Sequence, residues 1–289
     1  MSDNALDVKG LSATVGGFKL QDINLSVQKG TIMGLIGENG AGKTTLIKSI
    51  LNRIQREKGK VFFHGKELVG NEKAIKAKLG VVFDENIYPG SYKPKKIYKS
   101  FAPFYKGNYE KRFFELMERF KLDPNKKFID YSKGMQVKFS IVMALFHDPD
   151  LIILDEPTAG IDPVARTDIL DLVLDIMQNE EKSVLFSTHI TTDLEKIADF
   201  ITLIDRGRIV FSEQKDELLD SFAVVNVEES AMTDTLRDNL IGVKKSLFGY
   251  TGLSSDKEVL NGLSGIKLAR PTIEDIMVYS NEVGGDIYD

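Results

Sequence analysis

The sequence lacks several residue types and segments that define whole classes of protein. Its 289 residues include no cysteine, no tryptophan and only three histidines, so the chain forms neither disulfide bonds nor thiolate metal sites. Its longest uninterrupted apolar run is Ile141–Phe146, far short of the roughly 18 residues that span a bilayer. The stretch from Met1 to Asn4 lacks the basic and apolar regions of a signal peptide. We therefore expect a soluble, cytoplasmic protein, and any membrane process that it serves requires another chain.

The overall composition is that of an ordinary globular protein. Hydrophobic residues make up 42% of the chain, charged residues make up 28%, and the net charge is −5. An acidic balance of this kind gives no general indication of nucleic-acid binding. The length allows one large α/β domain with a smaller appendage.

A glycine-rich stretch lies between an apolar run at residues 31–36 and a predicted helix, Leu46–Arg53. Its residues are Gly37, Glu38, Asn39, Gly40, Ala41, Gly42, Lys43, Thr44 and Thr45. Strand, glycine-rich loop and helix together are typical of a phosphate-binding loop, because backbone N–H groups and the helix start face one anion. Lys43 is placed to reach the outer phosphates, and the Thr44 hydroxyl to bind Mg²⁺. The alternative is a surface turn that contains three glycines.

Two adjacent carboxylates follow a second apolar run, which is typical of a buried strand. The apolar run Leu151–Leu154 ends in Asp155 and Glu156, at the strand end where α/β sheets bind ligands. Asp155 is a candidate Mg²⁺ ligand. Glu156 points to the other side of the strand axis and is a candidate base that polarises water. The alternative is a solvated acidic turn, which the phosphate loop in the same chain makes a weaker explanation.

Two further stretches add candidate phosphate contacts. Ser132 precedes a predicted helix, Met135–Phe146, and its simplest role is that of a helix cap. A serine hydroxyl, Gly134 and a helix start also form a second phosphate site, which a dimer could use when each chain supplies one of the two sites. His189 follows the predicted strand Ser183–Phe186, next to the carboxylate strand, and this placement favours contact with a γ-phosphate over a purely structural role.

The order of predicted elements indicates an α/β fold. Three strands are expected within residues 5–36, and others at 61–63, 79–83, 151–154 and 183–186, with a hairpin at 200–211. Strands that alternate with helices predict a doubly wound, largely parallel sheet with an antiparallel portion early in the chain. Residues 93–127 are rich in lysine and aromatic residues at helical spacing, which predicts a helical insert within about 87–148.

The last part of the chain contains none of these motifs. We expect a boundary near Ser221, so that residues 1–221 form the main domain and residues 222–289 form a small α+β appendage. Strands are predicted at Val224–Val227, Lys245–Tyr250 and Ile266–Leu268. Pro271 is expected to open a last helix that ends near Tyr279, since proline suits a first helical position.

Taken together, these stretches resemble the nucleotide-binding subunit of an ATP-binding cassette (ABC) transporter, which implies a RecA-like P-loop NTPase core. Residues 37–45 resemble its Walker A motif and residues 151–156 its Walker B motif. Residues 159–162, which end in Asp162, resemble the D-loop, and His189 resembles the switch histidine. The Leu-Ser-Gly-Gly-Gln signature is matched by Tyr131 and the four residues Ser132, Lys133, Gly134 and Met135.

The sequence departs from the family pattern at several positions. Lys133 and Met135 replace Gly and Gln in the signature, a form that resembles the branch that drives ABC-2 type exporters. Asp84 stands where the family has the Q-loop glutamine, and we expect it to bind Mg²⁺ with Thr44 and Asp155. Phe18 is the nearest aromatic residue to the place of the adenine-stacking side chain.

The resemblance implies a mechanism. Two such subunits, identical or different, meet head to tail with ATP–Mg²⁺ between Walker A of one and the signature of the other. Glu156 activates water and His189 holds the γ-phosphate. The subunit is then peripheral on the inner face of the cell membrane and drives an integral membrane permease, docked at the groove beside the insert. Residues 222–289 serve as an accessory or dimerisation region.

Within this branch, residues 81–85, the signature and residues 187–191 resemble exporters of antimicrobial or amphipathic peptides, such as the phenol-soluble modulin exporters. Two other functions remain open at this point. The basic, aromatic insert with Tyr88, Tyr92, Tyr98, Phe101, Phe104 and Tyr105 could serve a non-transport ATPase that acts on nucleic acid. A regulatory nucleotide sensor is the other alternative, against which the complete pair of carboxylates and His189 argue.

Overall fold

The computed structural model describes residues 4–85, 87–247, 249–255, 260 and 264–282. A four-stranded antiparallel sheet forms one side of the N-terminal half, with the order β2-β1-β4-β5. Its strands are β1 (Asn4–Val15), β2 (Phe18–Gln28), β4 (Lys58–Phe63) and β5 (Lys66–Glu67). Long antiparallel pairing of β1 with β2 places their connecting turn, Gly16 and Gly17, beside the phosphate loop.

A six-stranded sheet lies at the centre, with the order β10-β9-β3-β8-β7-β6. Its strands are β3 (Ile32–Ile36), β6 (Leu79–Val82), β7 (Leu151–Asp155), β8 (Ser183–Thr188), β9 (Phe200–Asp205) and β10 (Arg208–Gln214). All neighbours pair in parallel except β9 and β10. Ile36 pairs with Thr188, and Asp155 pairs with Ser187, so the carboxyl ends of β3, β7 and β8 reach one edge of the sheet together.

Helices cover this sheet and fill the connections. They are α1 (Lys43–Ile50), α2 (Glu72–Lys76), α3 (Pro94–Phe101), α4 (Glu110–Arg119), α5 (Lys133–Leu145), α6 (Pro163–Met177), α7 (Thr191–Ile197), α8 (Lys215–Ser221), α9 (Asp234–Asp238) and α10 (Ile273–Glu282). The predicted α/β class, the early antiparallel portion and the hairpin of β9 and β10 are confirmed. Helix α1 begins at Lys43 rather than at the expected Leu46, because Gly42 adopts the left-handed conformation that starts the helix directly from the loop.

The helical insert contains α3, α4 and α5, and its aromatic side chains pack mostly on one another. Tyr98 stacks on Phe113 with ring centroids 4.5 Å apart, and Tyr88 contacts Phe101 edge-on at 5.8 Å. Five of the six aromatic residues between 88 and 105 belong to or pack against the main core, whereas Phe104 is 79% exposed. The insert therefore uses these rings for its own stability, and they do not form an open aromatic platform.

The C-terminal region forms a third sheet with the order β12-β13-β11-β14. Its strands are β11 (Ala223–Val227), β12 (Ile241–Ser246), β13 (Gly249–Ser254) and β14 (Ile266–Ala269). The predicted single strand at residues 245–250 is wrong: it spans the end of β12, a turn, and the start of β13, and its residue 248 lies outside the described residues. This turn requires Gly249, because its φ is +136° and a Cβ at this position would clash with Val227 O at 2.0 Å.

The last helix also differs from the expectation at its start. Helix α10 begins at Ile273, two residues after Pro271. Thr272 Oγ1 accepts a hydrogen bond from Asp275 N at 3.0 Å, and Asp275 Oδ2 accepts one from Thr272 N at 2.9 Å. This reciprocal capping arrangement satisfies the first turn and fixes the helix start at the threonine.

The C-terminal region packs directly on the main domain. Phe222, Leu253, Ile273, Ile276 and Tyr279 are buried in the same hydrophobic cluster as strands of the central sheet. Glu195 of α7 accepts a hydrogen bond from the backbone N–H of Ile273 at 3.0 Å. The region after Ser221 therefore shares one core with the main domain, and the expected boundary near Ser221 remains a prediction.

Candidate active site

The phosphate loop connects β3 to α1 and is held closed by its own lysine. Lys43 Nζ donates hydrogen bonds to Gly37 O at 2.7 Å and to Glu38 O at 3.1 Å. The lysine is only 5% exposed, and its ammonium also lies 3.1 Å from Glu156 Oε1. The predicted loop is thus a ring of backbone around a buried cation, at the start of a helix whose dipole favours anions.

Two glycines of this loop are required by space. A Cβ on Gly37 would lie 2.3 Å from Ile204 O, and a Cβ on Gly42 would lie 2.8 Å from the ring of Phe18. Gly42 also has φ of +115°, which side-chain-bearing residues avoid. The glycine pattern therefore reflects close contacts with β9 and with Phe18, which a mere surface turn does not make.

A cavity of about 650 Å³ opens beside the loop. It is bounded by the β1–β2 turn with the start of β2, by the phosphate loop and by the β9–β10 turn, and its lining is Gly17, Phe18, Lys19, Gln21, Glu38, Asn39, Gly40, Ala41, Asp205 and Arg206. Backbone hydrogen bonds join these three segments, since Gly207 N donates to Ala41 O at 3.0 Å and Gln21 N donates to Gly207 O at 2.9 Å. The cavity has the volume of a small-molecule site, and Phe18 presents its only aromatic ring among the described residues that line it.

Thr44 and Asp155 meet at the end of β7. Asp155 is 1% exposed and accepts a hydrogen bond from Ser187 Oγ at 2.6 Å. Burial raises the pKa of Asp155, although hydrogen bonds from Ser187 and Thr44 oppose that rise. A buried carboxylate in contact with a threonine hydroxyl is a pair of hard oxygen ligands, so these two residues fit a Mg²⁺ ion that phosphate and water complete.

Glu156 is held in an unusual backbone conformation. Its φ is +50°, which is uncommon for a residue with a side chain. Its N–H donates to Ser187 O at 3.0 Å, and its Oε2 lies 2.8 Å from His189 Nδ1. The side chain is thereby directed between Lys43 and His189, and the predicted carboxylate, histidine and loop lysine form one contiguous group.

The signature residues lie at the start of α5. Ser132 is the N-cap, and its Oγ accepts a hydrogen bond from Met135 N at 3.3 Å, so the simpler structural role predicted for it is present. Gly134 is buried, and a Cβ there would lie 2.6 Å from Ala165 Cβ of α6. Lys133 Nζ donates to Ala159 O at 2.8 Å. Among the described residues that line the large cavity, none belongs to the signature.

Asp162 and Asp84 occupy different settings. Asp162 is the N-cap of α6, where its Oδ1 accepts hydrogen bonds from Val164 N and Ala165 N. Asp84 is exposed and borders a small cavity of about 60 Å³ together with Glu156 and Lys133. The predicted roles of Asp84 as a Mg²⁺ ligand and of Asp162 as a D-loop residue remain predictions.

A buried network behind the site was not predicted. Asp193 of α7 is fully buried and accepts hydrogen bonds from Thr158 Oγ1 at 2.7 Å and from Arg166 Nε at 2.5 Å. It joins the turn after Glu156, helix α6 and the helix that follows His189. The only sequence signal was an acidic residue near the start of a short helix, which normally indicates favourable interaction with the helix dipole.

Comparisons with known proteins agree with this geometry. A family model described as ABC transporter matches residues 20–159. The uncharacterized ABC transporter ATP-binding protein YdbJ of Bacillus subtilis is 30% identical over 285 residues, which cover 96% of this chain and 87% of the relative. The Nod factor export ATP-binding protein I of Cupriavidus pinatubonensis is 30% identical over 277 residues, covering 90% and 85% of the two chains.

A solved structure described as an ATP-binding subunit of an ABC transporter has a TM-score of 0.66 and 28% identity, covering 75% of this chain and 92% of that one. The protein belongs to the family of ABC transporter ATP-binding subunits and is an ATPase of that family. In the described part of the chain, no helix has both the length and the apolar character that a membrane crossing demands.

Proposed function

We propose that this ATPase dimerises head to tail on ATP and powers export through a separate integral membrane permease. In this proposal the subunit is cytoplasmic and peripheral on the inner face of the cell membrane. The partner cassette is a second ABC ATPase subunit, identical or different. The export assignment is supported by the relative whose name denotes Nod factor export.

One observation carries the dimer. The chain has two helix starts suited to phosphate, at Lys43 of α1 and at Lys133 of α5. The loop that leads into the first helix lines the large cavity from Glu38 to Ala41, whereas the second helix start, with the exposed Ser132, does not line it. A second phosphate site outside the cavity has a use when it completes the nucleotide site of another subunit.

The residues at the sheet edge support hydrolysis. ATP would lie in the large cavity with its base beside Phe18 and its phosphates in the loop. Bound Mg²⁺, held by Thr44 and Asp155, would neutralise phosphate charge. When phosphate draws Lys43 away, Glu156 is free to orient and deprotonate water. His189, already 2.8 Å from Glu156, would then hold the γ-phosphate.

A groove between the core and the insert is our candidate for permease docking. It encloses about 360 Å³ and is lined by apolar side chains from both sides, including Val81, Phe101 and Phe146, with Arg53 and Lys76 among its other residues. Ile87 is 57% exposed at this groove. An apolar helix end with acidic flanks fits such a surface by shape and charge.

Peptides are our proposed cargo, amphipathic or antimicrobial in type, on the basis of the signature form described above. The alternative action on nucleic acid has less support, because the aromatic residues of the insert pack internally and only Phe104 among those six is strongly exposed. Base-stacking platforms require open aromatic faces.

The dimer is tested with Glu156→Gln, which keeps the shape of the side chain and removes the base. We expect turnover to fall by at least about a hundredfold while ATP, and not ADP, converts the protein to a dimer in size-exclusion chromatography. Glu118→Gln, at an exposed glutamate of α4, is the matched control and should behave as wild type. A Glu156→Gln protein that stays monomeric with ATP contradicts the dimer, and one that hydrolyses ATP normally contradicts the base.

The membrane partner is tested by affinity purification from detergent-solubilised membranes. We expect an integral membrane protein to copurify, and its amount to fall with Ile87→Asp, which places a charge in the groove. Leu247→Asp, at a 95% exposed leucine directly after β12, is the control. Recovery of salt-sensitive nucleic acid in place of a membrane protein would favour the alternative function.

A further inference from the structure

Lys133 joins the signature, at the start of α5, to the turn that follows Glu156. It is the first residue of α5, and its Nζ donates a hydrogen bond to Ala159 O at 2.8 Å. Ala159 N in turn donates to Glu156 O at 3.2 Å, so this carbonyl belongs to the same turn as the candidate base. A side chain of the signature thus holds the turn that follows Glu156 within one subunit.

The surroundings accommodate the lysine amine. The contact crosses the small cavity between insert and core, which Asp84, Gln136 and Glu156 also line. Gly160 has φ of +64°, and a Cβ there would lie 2.8 Å from Lys133 Nζ. The glycine therefore leaves the space that the amine occupies, and a larger residue would push it away from the carbonyl.

Helix stability does not explain a lysine at this place. A cation in the first turn of a helix is opposed by the positive end of the helix dipole, and the first turn of α5 contains no acidic residue. Glycine, which the family signature has at this position, could not reach the D-loop. The hydrogen bond to Ala159 is the contact that gives the exposed lysine a defined use.

We propose that Lys133 is a positioning residue that couples the two nucleotide sites of the dimer. The inference rests on the proposed head-to-tail dimer. In that dimer, the Ser132 turn contacts ATP held by the partner subunit, whereas Glu156 acts on ATP held by its own subunit. When the Ser132 turn binds the ATP of the partner subunit, the hydrogen bond from Lys133 to Ala159 adjusts the position of Glu156 at the ATP of its own subunit.

The first experiment measures ATP hydrolysis against ATP concentration for Lys133→Met, which keeps the chain length and removes the donor. Loss of one solvent-exposed hydrogen bond changes an equilibrium by about fivefold. We therefore expect turnover to fall by about fivefold and the Hill coefficient to approach one, with ATP binding to the isolated subunit unchanged. Lys133→Arg should retain most of the turnover and of the Hill coefficient of wild type. Lys111→Met, at a 91% exposed lysine of α4, is the control.

The second experiment separates positioning from direct phosphate contact. Differently tagged subunits are mixed so that one carries Glu156→Gln and the other keeps the only intact base. Lys133→Met is placed either in the subunit with the intact base or in its partner. We expect the larger loss of turnover when it lies beside the intact base.

A larger loss from the partner position would show that Lys133 acts on phosphate across the interface and would overturn the proposal. Equal turnover in the two mixtures, or turnover of the Lys133→Met protein equal to that of wild type, would also overturn it. Failure of the head-to-tail dimer is visible separately, because the Glu156→Gln protein with an intact Lys133 would then remain monomeric with ATP.

Discussion

The buried carboxylate of Asp193 gives the most exacting test of how the site is supported. The change is Asp193→Asn, which conserves volume and removes the charge. Asparagine still offers Thr158 one hydrogen-bonding oxygen, but it leaves Arg166 without its anionic partner. The perturbation therefore isolates the charged bond from the packing of α7.

The magnitude follows from burial. Breaking a fully buried ion pair costs about 3–5 kcal/mol, and losing a hydrogen bond to a charged group costs about 1.5–3 kcal/mol. Asp193 is 0% exposed, but Arg166 is 28% exposed and keeps a hydrogen bond to Thr192 Oγ1 at 2.7 Å. Arg166 can therefore recover part of its hydration, and we expect a loss of about 2 kcal/mol in the free energy of unfolding.

The assay is urea denaturation followed by circular dichroism, combined with a double-mutant cycle with Arg166→Gln. The single changes should not add, and a coupling free energy of about 1 kcal/mol or more is expected for direct partners. Turnover should also fall, because α7 begins two residues after His189. A loss below about 0.5 kcal/mol together with no coupling would refute the argument that Asp193 joins these three segments.

Two other changes test separate parts of the structure. Burial lowers the pKa of His147 from 6.5 to about 4, and its buried Nδ1 has no hydrogen-bond partner. Because the unfolded chain binds this proton more readily, the stabilisation from neutral His147 is present above pH 6.5 and is lost as pH falls toward 4. The free energy of unfolding of wild type should therefore fall by about 2–3 kcal/mol more than that of His147→Gln between pH 7 and 4 in urea titrations. Parallel curves of the two proteins against pH would contradict this. Gly134→Ala should destabilise the protein by about 1–3 kcal/mol through overpacking and impair ATP-driven dimerisation. Adding Ala165→Gly should restore both, and no recovery would show that the contact between α5 and α6 is not the cause.

The parts of the site that the sequence predicted are those built from consecutive residues. The loop from Gly37 to Thr45 carries its own geometry, and the parallel pairing of β3, β7 and β8 then places Glu156 and His189 at the same edge. Order along the chain was sufficient here, because the carboxyl ends of neighbouring parallel strands meet.

The features that were missed depend on contacts between distant segments. Asp193 and Arg166 are 27 residues apart, and no local pattern marks them as partners. In the C-terminal sheet, apolar and polar residues around Tyr250 suited a single strand, and the turn at Gly249 became evident only from its contact with Val227. Pro271 suited a helix start, but the Thr272 and Asp275 side chains fixed the helix start closer to Ile273.

The lysine of the phosphate loop has a consequence for the end of the catalytic cycle. Lys43 donates hydrogen bonds to two backbone oxygens and also faces Glu156. Phosphate therefore binds by exchange, and its affinity is the difference between two sets of contacts. After bond cleavage, the same oxygens compete with the released phosphate for the ammonium. We therefore expect these backbone oxygens to weaken the binding of free phosphate.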